Sequence, residues 1–147
     1  MAGVAWQVTS APVLCTTTTK TIVQIIAGSN HRVLLEYCKV TFQGIVATDS
    51  PIQCEILIGT SAGTSSALTV NKWNPADDET LVITALEAFT VEGTSTTVKV
   101  RDYVHPQGGK VWTFGMGMPV LGGTRMNFRT VSPGVSVNTI VEMRGTE

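Results

Sequence analysis

Charge is scarce in this sequence, and neither sign is in surplus. Lys and Arg number 10 and Asp and Glu number 11, so the formal net charge is −1 and only 14% of the residues are charged. Neutralising nucleic-acid phosphates requires a basic surplus, so we expect no nucleic-acid partner. No apolar run reaches the roughly 18 residues of a membrane-spanning helix, and residues 1–5 lack the basic start of a secretory signal. We therefore expect a protein made in the cytoplasm, with no membrane partner.

Metal and disulfide patterns are also missing. The three cysteines, Cys15, Cys38 and Cys54, form an odd set without C-x-x-C spacing. The two histidines, His31 and His105, have no neighbouring partner of ligand type. We expect free thiols that are buried like small apolar side chains, and neither a metal nor a cofactor.

What the sequence does contain is β-branched residues. Thr, Val and Ile number 22, 19 and 9, about a third of the 147 residues. Side chains branched at Cβ lose rotamers in a helix but pack well on a pleated sheet. With turn residues every 10 to 15 positions, this composition predicts an all-β fold. We expect an antiparallel β-sandwich or jelly roll of about eight or nine strands.

Alternation with a period of two predicts which faces are buried. Ile52, Cys54, Ile56 and Ile58 share one face of a strand, while Gln53 and Glu55 lie on the other, which we expect to be solvated. Residues 21–27 and 33–42 are apolar on both faces. Such strands are typical of the middle of a sandwich or of a contact with another subunit.

Two turns predict hairpins. Residues 28–30 (GSN) separate the strands at 21–27 and 33–42, and residues 132–134 (SPG) separate the last two strands. Residues 1–12 carry no clear pattern and predict an extended N-terminal arm, so that residues 13–147 form a single domain. Trp6 on this arm either packs on its own sandwich or anchors on a neighbouring molecule.

One motif looks catalytic. Residues 59–63 fit the G-x-S-x-G nucleophile elbow around Ser61, and Asp102 and His105 follow in the order of an α/β-hydrolase triad. That elbow must lead into a helix, whereas residues 64–70 are typical of a strand. We therefore interpret the segment as a loop between strands and predict that the protein is not an enzyme.

Two groups of polar residues are weaker candidates for a binding site. Residues 77–79 (DDE) concentrate carboxylates that calcium would accept, yet they lack the alternating D-x-D pattern and suit a turn after Asn74 and Pro75. Arg125 and Arg129 share a strand face with Asn127. They are either a binding site for phosphate or sugar or ordinary residues of a solvated face.

The sequence also resembles a family of small virion proteins that tailed bacteriophages and prophages encode beside the major capsid protein. The resemblance spans almost the whole chain, although none of its motifs is chemically specific. It rests on Trp6, TTTTKT (16–21), TSAGTSSALT (60–69), KW (72–73), HPQGG (105–109) and the β-rich end at 135–142.

This resemblance implies a jelly-roll decoration (cement) protein on the capsid surface of the virion. Its partner would be the major capsid protein of a tailed phage, and it would be a homotrimer at the three-fold positions of the shell. The residues expected at the capsid or subunit interface are Trp6, Met116, Met118, Arg125 and Arg129. A tail or baseplate location in the virion is an alternative.

A second class of protein is an alternative to the decoration protein. A carbohydrate-binding or receptor-adsorption β-sandwich shares the fold and needs no catalytic residue. Such a module requires exposed aromatic side chains on one platform. Trp73 and Trp112 are the candidates, but Trp112 alternates with Phe114 and is more simply explained as core.

Overall fold

In the computed structural model, residues 3–147 are described, and they form strands without any helix. Twelve strands occur in this part of the chain: β1 (Ala5–Thr9), β2 (Val13–Cys15), β3 (Lys20–Ile26), β4 (Val33–Phe42), β5 (Ile52–Gly59), β6 (Thr64–Leu68), β7 (Asn71–Lys72), β8 (Thr84–Val91), β9 (Ser95–Val104), β10 (Gly109–Val120), β11 (Arg125–Val131) and β12 (Val137–Thr146).

These strands form two antiparallel sheets that pack face to face, so the predicted all-β sandwich is confirmed. Sheet A has the order β10-β4-β12-β1-β7, with β2 also paired to β12, and sheet B has the order β6-β8-β3-β11-β5-β9. With β1 and β2 counted as one interrupted strand and β6 to β8 set aside, the eight remaining strands follow the order of a jelly roll. The total exceeds eight or nine because β1 and β2 are separate strands, β7 extends sheet A, and β6 and β8 extend sheet B.

The inner faces of the two sheets form one apolar core. Sheet A contributes Trp6, Val40 and Met143, and sheet B contributes Ile56 and Phe128. The rings of Trp112 and Phe128, from opposite sheets, lie 5.9 Å apart. Trp112 therefore belongs to the core side of sheet A, as the alternation predicted.

Both predicted hairpins are wrong, although both turns exist. At the first turn the His31 N–H donates to the Gly28 carbonyl over 3.0 Å. However, β3 lies in sheet B and β4 in sheet A, and the same is true of β11 and β12. A turn sequence shows that the chain reverses, but not whether the two strands pair or stack in facing sheets.

Residues 5–9, which we expected in a free arm, instead form an interior strand of sheet A. β1 pairs with β12 along its length, and Trp6 has an exposed fraction of 0%. At the break between β1 and β2, the Ser10 N–H donates to the Val141 carbonyl over 2.9 Å. Trp6 thus packs on its own sandwich, since burying a large indole is favourable wherever a core has room for it.

Part of the outer face of sheet B is covered, which the alternation did not predict. The Gln24 Nε2 donates to the Ser61 carbonyl over 3.5 Å, and the Thr21 N–H donates to Oε1 of Glu92 over 2.6 Å. The connections after β5 and after β8 therefore lie over this face. On this sheet, Leu57 and Phe89 are buried but do not belong to the main core.

Candidate interaction surfaces

The residues of the apparent catalytic motif lie at opposite ends of the sandwich. Ser61 follows β5, and its Oγ accepts a hydrogen bond from the Thr94 N–H over 2.7 Å, directly before β9. His105 comes directly after β9, and its Nδ1 accepts from the Gln107 N–H over 3.1 Å. A ten-residue strand spans roughly 30 Å, so Ser61 and His105 cannot share a proton.

The third member of that motif, Asp102, has a structural partner. Its carboxylate forms an ion pair with Lys110 and accepts from the Tyr103 N–H over 2.9 Å. The hydrogen bond from Lys110 is the largest cause that lowers the pKa of Asp102. Because β9 and β10 belong to different sheets, this pair joins the sheets at their open side.

Arg129 is held by a buried carboxylate. Glu55 is only 2% exposed in its side chain, and its two oxygens lie 2.7 Å from Arg101 Nε and from Arg129 Nη2. Burial alone would raise the pKa of Glu55, but the hydrogen bonds and charges of both arginines outweigh burial and lower it. The predicted solvated position of Glu55 is therefore wrong, because two arginines cover it.

Arg125 is likewise engaged within the fold. Its Nη1 donates to Oε1 of the buried Gln24 over 2.8 Å. Arg125 and Arg129 do share one face with Asn127, as predicted.

The two methionines of β10 have different environments. The pairing of β10 with β4 is interrupted between Thr113 and Met118, and Gly117 adopts a φ of 72° within this bulge. Met116 protrudes from the bulge and is 95% exposed, whereas Met118 is partly buried against the core. Of the two, Met116 is the one that is free to meet a partner.

A patch whose own side chains are uncharged lies on the outer face of sheet A, and we call it the uncharged patch. It consists of Leu14, which pairs with Asn138, and of the residues that line a groove of about 350 Å³, namely Pro12, Thr41, Phe42, Gln43, Asn138 and Ile140. Lys20 borders it, and its Nζ donates to the Leu14 carbonyl over 3.1 Å. The Gln43 N–H donates to the Asn138 carbonyl over 2.9 Å, which ties the following loop to the patch. That loop carries Ile45, which is 87% exposed. We call the end of the sandwich that holds this loop the Gln43 end.

An aromatic stack lies farther along the same face. The Arg144 guanidinium lies 4.6 Å from the ring centre of Tyr37 and 4.6 Å from that of Trp73. The Trp73 backbone N–H donates to the Ala5 carbonyl over 2.8 Å, and the residue is 54% exposed. These three residues are far apart in sequence, so sequence reasoning identified only Trp73.

The cysteines and the acidic turn behave as the sequence predicted. Cys15, Cys38 and Cys54 are free and buried. Burial raises the pKa of Cys54 to about 12 and also raises that of Cys38. In the acidic turn, the Asp77 N–H donates to the Asn74 carbonyl over 3.2 Å.

Residues 3–147 hold no group of three or more His, Cys, Asp or Glu side chains arranged for a metal ion. In the same part of the chain, no helix is long and apolar enough to cross a membrane.

Comparisons with models of protein families, with curated proteins and with solved structures find no match for this chain. They neither support nor oppose the resemblance to decoration proteins.

Proposed function

We propose that this protein is a structural virion protein that decorates, or cements, the outside of a tailed-bacteriophage head. The observation that carries this proposal is the uncharged patch with the exposed Ile45 beside it. Charged residues are depleted in the cores of protein interfaces, and exposed apolar side chains that cluster mark contact sites. The resemblance of the sequence to decoration proteins, and the frequent use of jelly rolls in viral capsids, support the same role.

The proposed role is mechanical and needs no catalytic group or cofactor. A copy that binds across adjoining capsid subunits stabilises only the assembled shell, so by linkage it opposes disassembly under internal DNA pressure. A homotrimer at a three-fold position would present three equivalent patches to three subunits. Simultaneous binding of the three would raise the overall affinity above that of one patch.

Co-sedimentation tests the proposal. The purified protein is sedimented alone, to measure its mass, and with expanded empty heads of a phage or prophage whose genome encodes it. We expect a trimer that saturates the heads. We expect Ile45→Asp and Ile140→Asp to weaken binding at least tenfold, because each places a charge in the proposed contact.

Leu121→Asp is the matched control. Leu121 is also exposed, but it lies in the turn between β10 and β11, at the end of the sandwich opposite the Gln43 end. All three variants should unfold like the wild type. Equal binding by the three variants would show that the uncharged patch is not part of the contact with the capsid. A wild-type protein that stays in the supernatant with heads but binds isolated tails would favour the tail or baseplate alternative.

A further inference from the structure

We propose that the groove beside Trp73 binds a neutral sugar ring. The groove, of about 220 Å³, opens on the outer face of sheet A, and its walls include Tyr37, Trp73 and Arg144. Its lining also includes Ala5 and Gly145, which have little or no side chain, and the buried Trp6. This site is separate from the uncharged patch and does not depend on the proposed capsid contact.

The aromatic wall is held in place by contacts within the fold. The Trp73 backbone is fixed to Ala5, and its indole is held against the Arg144 guanidinium. Arg144 is in turn stacked on Tyr37 and paired with Glu142, whose Oε1 accepts from Arg144 Nε over 2.6 Å. A preorganised aromatic face loses little conformational entropy on binding. The exposed part of the indole thus offers a flat apolar surface for the C–H face of a sugar.

The charged groups of the groove disfavour an anionic ligand. The charged residues that line the groove are one carboxylate, Glu36, and one guanidinium, Arg144. Arg144 is paired with Glu142, which lies outside the lining, so the groove offers no uncompensated positive charge. An anionic ligand would therefore gain little from this groove.

Both a hydrogen-bond acceptor and a hydrogen-bond donor remain at the rim of the groove. Glu36 is exposed and uses Oε1 to accept from the Thr146 hydroxyl over 3.0 Å. Within residues 3–147, Arg144 Nη1 donates to no group. Sugar hydroxyls both donate and accept, so they match this pair, and a few placed polar groups beside an aromatic wall are typical of small-ligand sites.

Nuclear magnetic resonance on the intact protein tests the proposal. The three tryptophans give three indole N–H signals, and Trp73→Phe identifies the one from Trp73. Methyl glucoside, galactoside and mannoside are the neutral probes, N-acetylneuraminic acid is the anionic probe, and arginine methyl ester is the cationic probe. We expect at least one neutral probe to shift the Trp73 signal saturably at millimolar concentration, and neither charged probe to do so.

Variants separate this site from non-specific stacking. Trp73→Ala should weaken binding of the neutral probe at least tenfold, and Trp73→Phe, which keeps a ring against Arg144, should weaken it less. Tyr103→Ala is the control, because Tyr103 is an exposed aromatic residue like Trp73 but lies on sheet B. The proposal is overturned if no neutral probe shifts the signal, if a charged probe binds more tightly, or if Tyr103→Ala weakens binding as much as Trp73→Ala.

Discussion

The Arg129 guanidinium lies 2.7 Å from Oε2 of Glu55, a carboxylate that is buried on the outer face of sheet B. Arg101 contacts the other oxygen of Glu55 from β9. Three neighbouring strands, β9, β5 and β11, are thus joined by one carboxylate. The arrangement explains how a face with a buried charge can remain stable, because the charge is paired twice.

Replacing Glu55 by Gln should destabilise the fold. The substitution keeps the shape of the side chain but leaves two arginines without a counter-charge, for a loss of about 2 kcal/mol in the free energy of unfolding. Urea unfolding measures the loss. Glu79→Gln, the same change at an exposed loop residue, should stay within about 0.5 kcal/mol of the wild type. Equal midpoints for the two variants would show that the Glu55 pairs contribute little.

Stability should fall in acid, in part through the same carboxylate. The folded-state pKa of Glu55 lies below its ordinary value of 4.5, and that of Asp102 lies below 3.8. The unfolded chain therefore binds more protons as the pH drops through these values, so the stabilisation is complete above about pH 4.5 and is lost below it. Urea midpoints measured from neutral pH to about pH 3 should fall less steeply for Glu55→Gln. A curve parallel to that of the wild type would show that Glu55 does not contribute to the loss of stability in acid.

Gly145 should tolerate no side chain. A Cβ at this position would overlap the Leu34 carbonyl oxygen of the adjacent strand and touch the Trp6 ring. We expect Gly145→Ala to lower the thermal midpoint strongly, with a loss of about 3 kcal/mol or more, because backbone cannot move aside without breaking the sheet. Gly134→Ala is the control, since a Cβ there meets nothing within 4 Å. The interpretation fails if both variants melt together.

The N-terminal segment should be required for folding. Trp6→Ala removes a fully buried indole from the core and should cost about 4 kcal/mol. Trp73→Ala removes an exposed indole and one cation–π contact, for about 1 kcal/mol. Deletion of residues 2–12 removes β1 and should abolish cooperative unfolding, as followed by circular dichroism. A truncated protein with the unfolding transition of the wild type would show that residues 2–12 are a dispensable arm.

The three thiols should be unreactive in the native protein. All three are buried, and burial holds the pKa of Cys54 near 12 and raises that of Cys38. The thiolate is the reactive form, so Ellman's reagent at pH 8 should modify them slowly. In guanidinium chloride all three should react at once. Rapid modification of one thiol without denaturant would reveal local opening of the core.

Local sequence determined the class of the fold and much of its strand content. The abundance of β-branched residues led to an all-β fold, the strand expected at 33–42 has the bounds of β4, and the alternation in β5 placed Cys54 and Ile56 correctly in the core. These properties depend on the conformational preference of each residue and on the two-residue period of a strand. Both act over a few residues and can be recognised without the rest of the chain.

Tertiary structure decided how the strands were distributed and what covered them. The turn at residues 28–30 leads from one sheet to the other, β1 enters sheet A beside β12, and Glu55 is covered by arginines from two other strands. The stack of Tyr37, Arg144 and Trp73 brings together three distant parts of the chain. Each outcome depends on which strands become neighbours, and that choice minimises the exposed apolar area of the whole domain rather than of any one segment.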